Sequence, residues 1–270
     1  MNSIVKSLIA KVHHFGLPLP SRLARRAANL YAYQQAQKVA NQLFGTKPLK
    51  YNEAGFWVID PMPSQVDLDN YYSTAYWATR DDRKVLLKDR DVAHVNLLFD
   101  HARELFLSSS PKTVVNFGAG HGGASFLFYA QGFRVINVDP HPGDIEFFDY
   151  RSTLNDVPEQ VDLVYASHSL EHVTDISSIV SEIRRILKPG GMLFVEVPNA
   201  EYRGEDNSHG LLSFTPTLQA PHTYYFSTRF FENLPFSKQL LSAYQYGENR
   251  WGKSSTPYGG DVIRYIAISP

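Results

Sequence analysis

Short apolar runs and longer stretches of helical periodicity alternate along the second half of this chain. The runs are rich in β-branched residues and predict strands at 113–117, 133–138, 161–166, 192–197 and 263–268. Apolar residues at helical spacing predict helices at 122–131, 175–187 and 228–241. Strands and helices in alternation favour an α/β fold with a mostly parallel sheet and helices on both faces. Ligands then bind beyond the carboxyl ends of the strands.

The first half has a less regular pattern. It predicts a helix from about 21 to 43, a turn-rich stretch with an extended segment at 56–59, and helices at 64–72 and 88–106. We therefore divide the chain into an N-terminal helical or cap extension, residues 1–87, and an α/β domain, residues 88–270.

The beginning of the chain has an unusual charge distribution. Residues 1–52 contain no Asp or Glu but eight basic residues, and apolar residues between 4 and 12 form one helical face. We favour packing of this face on its own domain or on a second subunit in a homodimer. The alternatives are peripheral contact with an anionic membrane surface and binding of an acidic partner.

Composition excludes several classes of function. The net charge of −1 argues against a protein that binds nucleic acid over its whole surface. The absence of cysteine excludes disulfides, thiolate zinc sites and cysteine nucleophiles. No run approaches the roughly 18 apolar residues of a membrane span. Since nothing in the sequence indicates secretion, we expect a cytoplasmic protein.

A glycine-rich turn follows the first strand of the α/β domain. Four glycines occur between 118 and 123, where a tight turn needs positive φ and a ligand needs close approach to the backbone. The next helix points its N-terminal N–H groups at this turn. Asp139 ends the second strand, 21 residues after Gly118, near the spacing at which a carboxylate binds a ribose diol. Together these features indicate a nucleoside cofactor.

Two further blocks complete the pattern. The strand at 161–166 runs into the polar segment Ser167-His-Ser-Leu-Glu-His172, and the helix at 175–187 ends in Lys188-Pro-Gly-Gly191. A dinucleotide fold would also satisfy G-x-G-x-x-G through Gly118, Gly120 and Gly123. That alternative leaves the Leu-Glu-His and Lys-Pro-Gly-Gly blocks unexplained.

These blocks together resemble the class I S-adenosylmethionine-dependent methyltransferases. The nearest branch is that of small-molecule and glycan methyltransferases with a Leu-Glu-His motif after the fourth strand. The resemblance covers about 88–270 and implies a Rossmann-like methyltransferase fold with a seven-stranded, mostly parallel sheet. The matching residues are Gly118-x-Gly120-x-Gly122, Asp139, Leu170-Glu171-His172 and Leu187-Lys-Pro-Gly-Gly191.

The resemblance implies S-adenosylmethionine as the cofactor. The glycine turn would pass under its methionine part, Asp139 would hold the ribose, and Asp149 or Tyr150 would meet the adenine. Where the family usually has an acid two residues before the first glycine, this chain has Asn116, which brings no charge. The implied cofactor-binding residues are Asn116, Gly118, Ala119, Gly120, Gly122, Asp139, Pro140, Asp149, Tyr150, Ser167 and His168.

Catalysis in such an enzyme requires an aligned acceptor and, where needed, a base. The candidate bases are His168, His172 and His222; the last resembles a His-x-x-x-Phe-Ser/Thr block of sugar- and natural-product-modifying relatives. We expect O-methylation of a small-molecule or glycan acceptor. The alternative is a catalytically silent protein that binds the cofactor or a partner. Methylation of nucleic acid is disfavoured by the near-zero charge and by the lack of an Asn/Asp-Pro-Pro-Tyr-type motif.

The histidine-rich segment also contains side chains that could bind a metal ion. His168, Glu171 and His172 would offer two nitrogens and one oxygen to a divalent ion. Ubiquinone-type O-methyltransferases are similar, with a carboxylate where His168 stands. Because of that difference, and because Leu-Glu-His also occurs in relatives without a metal, we expect no metal here.

Overall fold

The computed structural model describes residues 31, 34–36, 38–44, 47–76, 87–141, 147–158, 160–201, 222–244 and 262–270. Residue 31 and the described residues from 34 to 43 are helical, as the pattern of 21–43 predicts. The apolar face between 4 and 12 lies outside the described residues. Its packing, the homodimer and the membrane contact therefore stay predictions.

Besides that helical stretch, the described part of the chain folds into ten strands and six α-helices. The strands are β1 (Leu49–Asn52), β2 (Phe56–Ile59), β3 (Lys112–Phe117), β4 (Phe133–Val138), β5 (Asp149–Arg151), β6 (Val161–Ser167), β7 (Leu187–Pro198), β8 (Tyr224–Phe226), β9 (Ser237–Tyr244) and β10 (Val262–Ile268). The helices are α1 (Gln65–Tyr71), α2 (Asp89–His101), α3 (Arg103–Leu107), α4 (Gly123–Ala130), α5 (Ile176–Ile186) and α6 (Thr228–Glu232). A π-helical turn, Tyr72–Tyr76, continues α1.

Seven strands form the main sheet in the order β5-β4-β3-β6-β7-β10-β9. Strands β3 to β7 pair in parallel, whereas β10 is antiparallel to both of its neighbours. The seven-stranded, mostly parallel sheet predicted from the sequence is confirmed. Strand order reverses between β3 and β6, so the crevice at their carboxyl ends is where such a sheet binds ligands.

The two faces of this sheet bury separate apolar clusters. Because successive side chains of a strand point to opposite faces, Val114 and Val115 of β3 belong to different clusters. Helices α2 and α4 cover the face that contains Val114, and helices α5 and α6 cover the other. Helix α5 begins at the N-cap Asp175, whose side chain accepts hydrogen bonds from Ser177 N and Ser178 N. Helices on both faces are thus confirmed.

A second, smaller sheet joins the N-terminal extension to the domain. It has the order β1-β2-β8, so β2 of the extension pairs with β8 from far along the chain. Around it lies an apolar cluster that includes Phe44, Leu68 and Tyr71. The extension therefore contains strands as well as the helices expected. None of the helices in the described ranges is long and apolar enough to span a bilayer.

Two predicted helices differ from the structure. The helix expected over 228–241 is wrong beyond Glu232, because residues 237–244 form β9 and pair with β10. Pro235 lacks the N–H that a continuing helix needs, and Leu240 and Leu241 pack against clusters on opposite faces of the sheet. The helix expected over 88–106 is divided at Ala102, where φ is −133° and ψ is 39°.

Phe226 of the small sheet packs against the main core, and its substitution measures how much this packing contributes to the free energy of unfolding. Its ring is fully buried and contacts the rings of Phe230 and Phe231. We expect Phe226→Ala to lower the free energy of unfolding by about 3–5 kcal/mol, because it removes a buried aromatic ring and leaves a cavity. Urea denaturation measures this, with Leu107→Ala, at a 66% exposed position, as the control. Equal stability of the two variants would contradict the packing described here.

Candidate functional site

The glycine turn lies where the strand order reverses. Gly118, Gly120 and Gly122 have φ of 71°, 51° and 72°, a region that side-chain-bearing residues rarely adopt. A Cβ on Gly118 would lie 2.3 Å from Cβ of Ser169, on the segment after β6. Gly118 N and Ala119 N both donate to Val138 O, at 2.8 and 3.4 Å. The predicted need for glycine is confirmed, and the close approach it permits is to the neighbouring segment.

Asp139 connects the glycine turn to the end of β4. Its Oδ2 accepts a hydrogen bond from Gly120 N at 2.7 Å, and its Oδ1 accepts one from His141 N at 2.8 Å. Burial raises the pKa of this carboxyl above its ordinary value, although the two backbone N–H groups act to lower it. Pro140 follows directly and is exposed. Each carboxylate oxygen retains a lone pair with which it can accept a hydroxyl.

Asn116 supports the turn from inside the protein. The side chain is 3% exposed, and its Nδ2 donates to Ser125 Oγ at 2.9 Å. That hydroxyl donates in turn to Asn137 Oδ1 at 2.5 Å. Neutral hydrogen bonds therefore join β3, α4 and β4 under the turn, so no buried charge is required at position 116. Asn116 therefore has a structural role beneath the glycine turn.

The two residues expected near adenine have different surroundings. The carboxylate of Asp149 pairs with the guanidinium groups of Arg151 and Arg134, the latter at 3.5 Å. The hydroxyl of Tyr150 instead donates to Gly120 O at 3.4 Å. Tyr150 therefore lies against the glycine turn, while the Asp149 side chain is occupied by arginines.

His168, just after Ser167 at the end of β6, lies between two buried carboxylates. Its Nδ1 is 3.3 Å from Glu171 Oε1 and its Nε2 is 3.2 Å from Glu196 Oε1. Burial acts to lower the pKa of His168, but the two carboxylates outweigh it and raise that pKa. A ring that directs both nitrogens at carboxylates holds its proton. Its two ion-pair contacts with carboxylates favour a positioning role for His168, and its role as a base stays a prediction.

Glu196 anchors this arrangement from within the sheet. It is fully buried on β7, and its Oε2 lies 2.5 Å from Arg264 Nε and 2.7 Å from His94 Nε2. Burial acts to raise the pKa of Glu196, but His94 and His168 hold it well below the usual range. The sequence interpretation missed this network. Its only signal was a glutamate and an arginine within the otherwise apolar runs of β7 and β10.

Glu171 is the centre of the remaining polar side chains. It is 1% exposed, and the pKa of its carboxyl is lowered to about 2, because the surrounding histidines, with His168 foremost, outweigh the burial that would raise it. His172 Nε2 lies 3.9 Å from Glu171 Oε1, and the ring centroids of His172 and His222 are 5.1 Å apart. Burial, with His172 nearby, lowers the pKa of His222 to about 3, so its ring is neutral.

The N-terminal extension contributes to this cluster. The hydroxyl of Tyr72 lies 2.9 Å from His172 Nδ1, a contact between residues 100 positions apart that no sequence pattern could reveal. The possible metal ligands in the sequence are His168, Glu171 and His172. The structure instead groups potential ligand atoms of Glu171, His172 and His222. All three candidate bases thus surround one carboxylate, beside the glycine turn.

The chain matches known proteins over its α/β domain. A thiol S-methyltransferase from Rattus norvegicus is 28% identical over 141 residues, covering 46% of this chain and 55% of that protein. A ubiquinone biosynthesis O-methyltransferase from Bradyrhizobium sp. is 30% identical over 104 residues, covering 33% of this chain and 41% of that one. The chain thus spans about half the length of these curated relatives.

One solved structure supports the same fold. The 1,6-didemethyltoxoflavin-N1-methyltransferase of Burkholderia thailandensis superposes with a TM-score of 0.53 at 15% sequence identity, covering 82% of this chain and 98% of that one. Residues 88–235, more than half of the chain, match the family model described as a methyltransferase domain. The chain therefore belongs to the methyltransferase domain family, as the sequence resemblance predicted.

Proposed function

We propose that this chain is an S-adenosylmethionine-dependent methyltransferase that methylates an oxygen of a small polar acceptor. The acceptor class we favour is a sugar, a glycan or a natural-product intermediate. One observation carries the proposal. The Asp139 carboxylate is hydrogen-bonded to the glycine turn at the end of β3, and the Glu171 cluster follows the adjacent strand β6.

The residues around the turn fit the cofactor. Asp139 presents oxygens to a ribose diol beside the turn, and Tyr150 lies against the same backbone. Ser169 Oγ adjoins Gly118 and is buried with no hydrogen-bond partner among the described residues, as expected of a group that completes its hydrogen bonds with a ligand. When bound, the cofactor supplies an activated methyl group.

The acceptor side of the site favours a hydroxyl compound. Tyr72, His172 and His222 offer hydrogen-bonding groups around one ionised carboxylate, and such groups recognise hydroxyls by donating to or accepting from them. Since His168 holds its proton between Glu171 and Glu196, removal of the acceptor proton falls to the part of the cluster around His172 and His222.

The relatives support the reaction type without fixing the acceptor. Their printed names include a thiol S-methyltransferase and a ubiquinone biosynthesis O-methyltransferase, and the structural neighbour is an N1-methyltransferase. Oxygen is favoured here by the polar, cysteine-free cluster. The competing function is a silent protein that binds the cofactor and transfers no methyl group.

Cofactor binding is tested with S-adenosylhomocysteine, which avoids turnover. We expect Asp139→Asn to raise the dissociation constant about 10- to 100-fold, because a hydrogen bond to a charged group contributes about 1.5–3 kcal/mol. Isothermal titration calorimetry measures this, with the exposed Asp100→Asn as the matched control. No binding by the unmodified chain would refute the proposed function.

The same titration should depend on pH. Only the ionised form of Asp139 accepts both hydroxyls, and burial raises its pKa above the ordinary 3.8. Affinity for S-adenosylhomocysteine is therefore highest above the raised pKa and falls as the pH drops through it. Dissociation constants measured from neutral to acid pH should rise for the unmodified chain. A curve of the same shape for Asp139→Asn would assign the effect to another group.

Methyl transfer is tested by incubating the chain with labelled S-adenosylmethionine and a panel of nucleotide sugars, oligosaccharides and phenols. We expect label in a hydroxyl-bearing acceptor, and we expect Asp139→Asn to reduce the rate at limiting cofactor. Cofactor binding without transfer to any acceptor in the panel or in a metabolite extract would favour the silent binding protein.

A further inference from the structure

Three side chains outside the glycine turn bring potential metal-ligand atoms together. One oxygen of Glu171 and one ring nitrogen each of His172 and His222 all lie within 4.8 Å of one another. Two imidazoles and one carboxylate form a donor set that suits divalent transition metals, whereas Mg²⁺ prefers oxygen ligands alone. This set differs from the sequence-based one, because His222 takes the place of His168.

The carboxylate of this cluster lacks the partners that a buried anion needs. Both oxygens of Glu171 are buried and have no hydrogen-bond partner among the described residues. His168 Nδ1 approaches Oε1 at 3.3 Å, in ion-pair contact without the alignment of a hydrogen bond. A buried charge is costly unless it is paired and hydrogen-bonded or coordinates a metal. Glu171 therefore has charged neighbours but keeps lone pairs with which it can coordinate an ion.

The two histidines are held in position by outer contacts. With its proton on Nδ1, His172 donates to the Tyr72 hydroxyl at 2.9 Å, and the lone pair of Nε2 is then directed toward Glu171. This is how ligating histidines are usually oriented. His222 is fixed through the next residue, because Thr223 N donates to Glu171 O at 2.8 Å.

We propose that Glu171, His172 and His222 bind one divalent transition-metal ion, with Tyr72 orienting His172. The His222 side chain is buried and brings a ring nitrogen to within 4.8 Å of the ligand atoms of Glu171 and His172. Three protein ligands leave coordination positions open, as in catalytic metal sites. The inference rests on the proposed function and deepens it: an acceptor hydroxyl bound at an open position of the ion would have a lowered pKa and would release its proton to solvent. His172 and His222 would then act as ligands and not as the base.

The probe is Co²⁺, whose visible absorption reports ligand number and geometry. The chain is stripped with chelator, dialysed and titrated with CoCl₂, and Zn²⁺ is then added as a competitor. We expect one ion per chain, an absorption band typical of nitrogen and oxygen ligands, and displacement by Zn²⁺ but not by millimolar Mg²⁺. Absence of a stoichiometric band, or equal displacement by Mg²⁺, would overturn the proposal.

Substitutions distinguish the metal ligands from residues that do not bind the ion. Loss of a residue that only orients a ligand typically weakens metal binding 10- to 100-fold, and we expect about 10-fold for Tyr72→Phe. His222→Ala and the isosteric Glu171→Gln each remove a ligand and should weaken Co²⁺ binding by more than about 100-fold. His101→Ala, an exposed histidine on α2, is the matched control and should bind as the unmodified chain does. Thermal unfolding identifies any variant that fails to fold, and Glu171→Gln, which keeps side-chain shape, then decides the outcome.

The same samples keep the two proposals distinguishable. S-adenosylhomocysteine binding without Co²⁺ binding would reject the metal site and leave the methyltransferase proposal standing. Co²⁺ binding that His222→Ala and Glu171→Gln abolish, without S-adenosylhomocysteine binding, would confirm the metal site and reject the proposed function. Co²⁺ binding unchanged in both variants would show that the ion binds elsewhere.

Discussion

Two buried carboxylates that share one histidine organise the polar end of this sheet. Glu196 lies within the apolar core, where an unpaired charge would be costly. Arg264, His94 and His168 surround it. His168 then faces Glu171 through its other nitrogen. The positions of Glu171 and the adjoining histidines therefore depend on contacts that reach across three strands and one helix.

The cofactor side depends on a different kind of constraint. The glycine turn is shaped by backbone conformations that only glycine adopts easily and by the close approach of Ser169 to Gly118. Asp139 then fixes the turn through its carboxylate, whose two oxygens accept hydrogen bonds from Gly120 N and His141 N. Neutral hydrogen bonds around Asn116 support the turn from beneath. An acid at that position is not required to build it.

The N-terminal extension belongs to the site as well as to the fold. Strand β2 pairs with β8, which follows His222, and the helical segment after α1 brings the Tyr72 hydroxyl to His172. Both contacts join parts of the chain that are far apart in sequence. The Glu171 cluster is thus assembled where the two sheets meet, whereas the glycine turn is built within one.

The sequence by itself determined the architecture and the position of the glycine turn and Asp139, because both depend on local signals. Apolar runs located the parallel strands, and glycines followed by a spaced acid located the turn and Asp139. Local signals failed at 237–244, where Leu240 and Leu241 fit a helix or a strand and only pairing with β10 decided between them. Tertiary structure alone gave His168 its place between Glu171 and Glu196. It also brought His222 to Glu171 and His172, because the environment of a buried ionisable group is set by residues distant in sequence.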